Sequence, residues 1–303
     1  MRRIPTVLAL LGCVISACCA PGPVTQGPED ARSAFPVAGA ASVVRNVVYA
    51  QYGERRLELD LYLPSESSHP RPVPGVLVVR GGGWQSGDKE SFGFIAAHLA
   101  EAGFAAASIE YRTSAEAPFP AAVHDVKAAV RWMRAHAATY GIDPGAIGAL
   151  GGSAGGHLVT MLATSAGVSD LEGSGGNPEA SSEVQAVVAM GCVCSMGWND
   201  PAVADFIGAP LETEVAVTKA ASPGTYVSRR SAPLLLLHSR TDPVVPFELS
   251  LRMEALYRSA GAPVILTPVD APNTHAFWNE TRYFPEAMDR AVAFLRAHLA
   301  KRE

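Results

Sequence analysis

After an opening stretch without periodicity, apolar residues along this chain come in short unbroken runs set between segments of helical period. Val43–Tyr52 and Arg56–Leu63 alternate well enough to predict a pair of strands. Val76–Val79 then reads as a buried strand, Ser91–Ala102 as an amphipathic helix and Phe104–Tyr111 as a strand. Ala121–Tyr140 predicts a long helix closed by Gly141, and Ile147–Leu150 a strand that runs into a helix-like stretch, His157–Ala163. Val184–Met190, Leu234–His238 and Val264–Pro268 continue the strands, with helices expected at Phe247–Ala260 and Phe284–Ala300. Short apolar strands alternating with helices predict one α/β domain over 42–303, built on a mostly parallel sheet covered on both faces. Two irregular stretches, Gly167–Ser182 and Gly197–Arg230, interrupt the series. Both follow element ends near the candidate site, so both are expected to contribute to a small lid.

The first forty residues read differently. Arg2 and Arg3 precede a short apolar run, Val7–Ile15, too short to cross a bilayer as a mature helix. Residues 1–17 are therefore expected to be a signal peptide. Ile15-Ser16-Ala17-Cys18 resembles the lipobox of bacterial lipoproteins, which implies cleavage before Cys18 and attachment of a lipid to its thiol. An ordinary signal peptide cut near Ala20 is the alternative, and Cys13 would leave almost no apolar region ahead of it. Residues 18–41, rich in Pro, Gly, Ala and Ser, read as a flexible tether to a membrane.

Composition narrows the classes. The 303 residues are 48% hydrophobic and 17% charged, enough for a substantial core, with a formal charge of −5. No basic run or aromatic-basic interleaving points to nucleic acid. Of five cysteines, Cys13, Cys18 and Cys19 belong to the leader or its edge, and only Cys192 and Cys194 remain in the body of the protein. With one residue between them, on a strand end where alternate side chains point the same way, buried thiols are expected rather than a bridge or a metal pair.

The chemistry centres on Gly151-Gly152-Ser153-Ala154-Gly155, placed where a strand meets a helix. A serine there sits on a sharp turn that holds its hydroxyl clear of the backbone, with glycines where side chains would clash. Such a nucleophile needs a base, a group to orient the base, and donors for an oxyanion. Arg80-Gly81-Gly82-Gly83-Trp84 follows the Val76–Val79 strand, and its glycines can turn N–H groups into a cavity; the N–H of Ala154 supplies another. Among eight histidines, His98, His124, His136 and His298 lie within helices, His157 is directed by the helix it shares with Ser153, and His69 is far upstream. His238 ends a strand just before better acid candidates. His275, in the loop after the last strand, is left as the base. Asp242, before a proline at the carboxyl end of a strand, is preferred as the acid over Asp270, only five residues from His275 on the same loop. The order is Ser, Asp, His.

Residues 50–300 resemble the exported carboxylesterases typified by bifunctional feruloyl and acetyl-xylan esterases, and more distantly the hormone-sensitive-lipase-like esterases. The resemblance rests on 57–64 (LELDLYLP), Gly81-Gly82-Gly83-Trp84 with Gly87-Asp88-Lys89, and Glu110-Tyr111-Arg112. It continues through Phe119-Pro120-Ala121, 125–132 (DVKAAVRW), 140–144 (YGIDP) and 152–157 (GSAGGH). It implies an α/β-hydrolase fold and a serine esterase needing no metal or cofactor, acting on short acyl or aryl esters, of plant polysaccharide among others. Ser153 would be the nucleophile, Asp242 the orienting acid, His275 the base, and Gly82, Gly83 and Ala154 the oxyanion donors; Asp125 and Arg131 look structural. Two departures stand out. Arg80 replaces the family's usual histidine, so it either anchors the glycine loop or favours an anionic substrate. Asn273-Thr274 replaces a glycine-containing stretch before His275, stiffening that loop. A peptidase or amidase on the same three residues, or a non-catalytic binding member of the fold, are the alternatives, and no long apolar segment suggests a lid for long acyl chains.

Overall fold

The computed structural model describes residues 42–300 apart from 198, 199 and 212. The expected signal peptide, Cys18 and the tether lie outside the described residues. Eight strands form one sheet: β1 (Ser42–Tyr52), β2 (Arg55–Leu63), β3 (Val73–Val79), β4 (Ala105–Ile109), β5 (Ile142–Gly152), β6 (Ala186–Met190), β7 (Leu234–Ser239) and β8 (Val264–Val269). Their order is β1-β2-β4-β3-β5-β6-β7-β8. The opening pair is antiparallel, as is β2 with β4, while β4 through β8 run parallel. The expected mostly parallel sheet is present, and the architecture is the α/β-hydrolase fold.

Among the described residues the longer helices are α1 (Gly93–Glu101), α2 (Ala121–Ala135), α3 (Ala154–Thr164), α4 (Pro201–Ile207), α5 (Val215–Ala220), α6 (Glu248–Ala260) and α7 (Phe284–Leu299); α1, α2, α3, α6 and α7 pack on the sheet, while α4 and α5 lie in the connection between β6 and β7. The unbroken apolar runs follow from this covering. On β3, Leu77 and Val79 enter one core with α2, α3 and α6, while Val76 and Val78 enter the other with α1 and α7. The long helix expected over 121–140 is interrupted at His136, whose ring stacks on Trp132 and whose Nδ1 meets the Trp132 carbonyl oxygen at 2.9 Å.

Register decides where chemistry can sit. Val79 pairs with Gly151, Gly152 with Met190, and His238 with Pro268, so the carboxyl ends of β3, β5, β6, β7 and β8 share one edge. The loops that leave β3, β5, β7 and β8 at that edge each carry a candidate residue. The irregular stretch Gly167–Ser182 does not reach it. It lies at the opposite edge, leading into β6, which begins beside Gly148. There Lys127 and Arg131 of α2 hold Glu172 by ion pairs. It is a staple and not part of a lid, contrary to the sequence expectation. Gly197–Arg230, by contrast, carries α4 and α5 and sends Asp200 and Ala202 to the site.

The cysteines also depart from expectation: Cys192 and Cys194 form a disulfide, with Cα atoms 5.2 Å apart. The expectation placed both on a strand. Instead β6 stops at Met190 and the chain turns at Gly191 (φ 53°), so the side chains no longer follow strand alternation.

Candidate active site

Ser153 stands between β5 and α3 with φ 55° and ψ −120°, a conformation that costs a non-glycine residue about 1–3 kcal/mol. The neighbouring chain compels it. The Ser153 N–H donates to the Met190 carbonyl at 2.8 Å, and its own carbonyl accepts from the His157 N–H at 3.0 Å. A Cβ on Gly155 would lie 2.1 Å from the Val79 carbonyl oxygen, and one on Gly151 2.4 Å from that of Gly155. The turn is thus too crowded for any other residue at either position. Ala154 opens α3, where a peptide N–H has no acceptor inside the helix.

The loop after β3 runs alongside. Gly82, Gly83 and Trp84 have φ of 105°, 59° and 58°. Arg80 is buried, with its guanidinium 4.1 Å from the centre of the Tyr111 ring. Its Nη1 donates to the carbonyls of Gly81 and Ser86, and the Tyr111 hydroxyl donates to those of Arg80 and Gly81. Of the two roles expected for Arg80, these contacts support the anchor. Trp84 stacks on Phe206, and its Nε1–H donates to Nδ1 of His157 at 3.2 Å. The His157 Nε2–H reaches the Ala221 carbonyl at 2.8 Å, and burial lowers this imidazole to about 4. His157, set aside in sequence, therefore ties the glycine loop to the 201–226 insertion.

His275 and Asp242 meet from the loops after β8 and β7. The His275 Nδ1 lies 2.7 Å from Asp242 Oδ2, whereas Asp270 is exposed. The Asp242 side chain is shielded from solvent, and its Oδ1 accepts from the N–H groups of Val244 and Val245 at 2.8 and 2.9 Å. Burial alone would raise the Asp242 carboxyl, but hydrogen bonds from His238, His275 and Val245 outweigh it and hold the group well below the usual carboxylate range. With Nδ1 engaged, the Nε2 of His275 is buried and has no hydrogen-bond partner among the described residues. Trp278 stands edge-on to the imidazole, and a Cβ on Gly191 would come 3.1 Å from His275 Cε1. That places the ring against the corner whose Met190 carbonyl holds the Ser153 backbone.

A cavity of about 820 Å³ joins these parts. Ser153, Ala154, His275 and the three glycines line it, with Phe92 and Trp278 forming an aromatic wall. The sequence-predicted residues Ser153, Asp242, His275, Gly82, Gly83 and Ala154 thus converge; Asp125, expected to be structural, takes Arg112 in a two-pronged pair. His238 was passed over: its Nε2 lies 3.3 Å from Asp242 Oδ2. A strand-end histidine carries no signal of that contact, which depends on how the turn after it folds back.

The chain is 31% identical to esterase LipQ of Mycobacterium tuberculosis over 78% of its own length and 57% of LipQ. It is 32% identical to the probable carboxylic ester hydrolase LipM of the same organism, over 67% of its length and 49% of LipM. The chain therefore spans about half the length of these curated relatives. Among solved structures, a truncated carbohydrate esterase from gut microbiota superimposes with a TM-score of 0.78 at 31% identity, covering 87% of this chain and 98% of that one. A propionate-bound thermophilic esterase of Thermogutta terrifontis gives 0.73 at 28% identity, covering 90% of this chain and all of its own. The model of one esterase family matches residues 59–256, across the glycine loop, the serine turn and the acid, and by that match the chain belongs to the BD-FAE family.

Proposed function

We propose that this protein hydrolyses carboxylic esters through an acyl-serine intermediate formed on Ser153. The observation that carries the reading is the 2.7 Å contact of His275 Nδ1 with the shielded Asp242, which leaves Nε2 without a hydrogen-bond partner among the described residues on a residue that lines the same cavity as Ser153. As Ser153 Oγ bonds to the ester carbonyl carbon, Nε2 takes its proton, and Asp242 stabilises the resulting imidazolium. The N–H groups of Gly82, Gly83 and Ala154 receive the charge that develops on the carbonyl oxygen, each donor worth about 3 kcal/mol of barrier. Collapse breaks the bond to the alcohol, which leaves with the proton from Nε2. Water then attacks the acyl-serine by the same steps and frees the acid.

The cavity favours neutral esters with a short acyl or aryl group. Phe92 and Trp278 offer apolar surface, while Asp88, Glu90 and Asp200 face the cavity and Arg80 spends its Nη1 on loop carbonyls. An acetylated or feruloylated carbohydrate fits that description, in line with the carbohydrate esterase among the structural neighbours. We also infer export, with residues 1–17 removed and Cys18 lipidated; a Cys192–Cys194 bridge suits an oxidising compartment. A mass shift lost in Cys18→Ala checks the anchor.

The direct test is Ser153→Ala assayed on p-nitrophenyl acetate, with a fluorophosphonate probe in parallel. Turnover should fall by about 10⁴-fold or more and labelling should vanish while the fold is kept. Undiminished turnover in the folded variant refutes the mechanism.

A further inference from the structure

The carboxylate of Asp242 has a second imidazole on it. His238, the next-to-last residue of β7, is fully buried, with Nε2 3.3 Å from Asp242 Oδ2 and 3.1 Å from the Val245 carbonyl oxygen. Both of those neighbours are acceptors, so Nε2 carries a proton. On the other side of the ring, Nδ1 lies 2.7 Å from the Ser250 hydroxyl, in the first turn of α6. With the proton on Nε2, Nδ1 accepts a hydrogen bond from that hydroxyl, and the ring stands edge-on to Phe247 at 5.6 Å. Nothing in the hydrolytic steps uses this histidine.

Its place in the turn explains why it matters. Asp242 Oδ1 receives two backbone N–H groups, from Val244 and Val245, which fix one oxygen and leave the carboxylate free to pivot about it. Oδ2 is the oxygen that meets His275. His238 approaches that same oxygen from the strand side, and by also holding the Val245 carbonyl it ties the turn to the strand. The pivot is thereby closed, and Oδ2 stays aimed at His275 Nδ1. We infer that His238 is a positioning residue: its Nε2–H fixes the orientation of Asp242, and through it the tautomer and aim of the His275 imidazole. Ser250 sets the aim of His238 in turn. The inference rests on the assignment of Ser153, His275 and Asp242 proposed above.

The test compares His238→Asn, His238→Gln, Ser250→Ala and Asp242→Asn, singly and with each His238 or Ser250 change in the Asp242→Asn background. The Asn amide reaches only where Nδ1 stands, whereas the Gln amide nitrogen reaches the place of Nε2. His238→Asn should lower kcat by about 10-fold or more with KM changed less than about two-fold, the loss of one hydrogen bond to a charged group. His238→Gln should restore most of it. In the Asp242→Asn background neither change should lower kcat further, because the group they act through is gone. The low-field proton resonance of the His275–Asp242 hydrogen bond should persist in His238→Gln and shift or broaden in His238→Asn, which loss of packing alone would not cause. If His238→Asn does not fold, Ser250→Ala carries the same test, with a loss of kcat of about three-fold that disappears beside Asp242→Asn. A folded His238→Asn with unchanged kcat, or a loss that adds in full to that of Asp242→Asn, overturns the inference alone. If Asp242→Asn itself keeps full activity, the assignment beneath it falls and the inference with it.

Discussion

Two carboxylates, Asp242 at the carboxyl edge of the sheet and Glu172 at the opposite edge, are built alike and do different things. Each gathers several donors. Glu172 accepts from Lys127, Arg131, Ser182 and the Gly167 N–H, while Asp242 accepts from two backbone N–H groups and two histidines. In each, burial would raise the carboxyl and the donors hold it down, from Lys127 and Ser182 at Glu172 and from His238 and His275 at Asp242. The difference lies in what stands behind the partner. Behind Lys127 and Arg131 is the packed face of α2, and the network fastens an irregular segment to a helix. Behind His275 is a cavity that the residue lines, and the ring's second nitrogen has no hydrogen-bond partner among the described residues. A carboxylate satisfied by several donors is a staple when its partner is a fixed cation, and on the proposed mechanism it orients a base when its partner is an imidazole that lines a pocket.

The sharpest way to break this comparison is to neutralise both carboxylates. Asp242→Asn should lower kcat by about 10⁴-fold, since the imidazole loses the acceptor that sets its tautomer. Glu172→Gln should instead leave kcat within about two-fold and cost roughly 3 kcal/mol in urea unfolding by stranding two buried cations. If the two effects on kcat changed places, the distinction between staple and orienting group would be lost.

Acidity provides a milder test. His157 is buried as the neutral ring and lowered to about 4, so the unfolded chain takes up a proton below its own value of about 6.5 that the folded chain refuses. That contribution is present in full above about pH 6.5 and is lost as pH falls toward 4. Unfolding free energy should drop by about 2 kcal/mol between pH 7 and pH 5 from this group, and His157→Gln should flatten that part of the curve. An unaltered slope in the variant would remove His157 from the account. The smallest expected effect concerns the glycine loop. Arg80→Met should reduce kcat by about 10-fold through loosened oxyanion donors, whereas Arg80→His should stay a working enzyme. Equal activity in all three proteins would show that the loop needs no anchor at this position.

How much of this was legible in the sequence follows from the range of each interaction. Ser153 could be read because its turn is local: the glycines that the strand-to-helix crossing demands are its chain neighbours. Asp242 and His275 could be read because parallel strands deliver their carboxyl ends to one edge, so position after a strand is already position in space. His238 could not, for its contact with Asp242 depends on the fold of the turn 239–245. The Cys192–Cys194 bridge was hidden by the length of β6, which ends two residues before the first cysteine. The staple at Gly167–Ser182 was hidden because nothing in the sequence says which segment folds over Lys127 and Arg131 of α2, although Arg131 already read as structural.

The central claim is that Ser153, activated by His275 and Asp242, carries the acyl group, and intact-protein mass spectrometry tests it most directly. Mixing the enzyme with p-nitrophenyl acetate and quenching in acid during the first turnovers should trap one acetyl group per chain, mapped by peptide sequencing to Ser153 and absent from Ser153→Ala. Rapid turnover with no adduct on Ser153, or an adduct on another residue that persists in Ser153→Ala, would contradict the account.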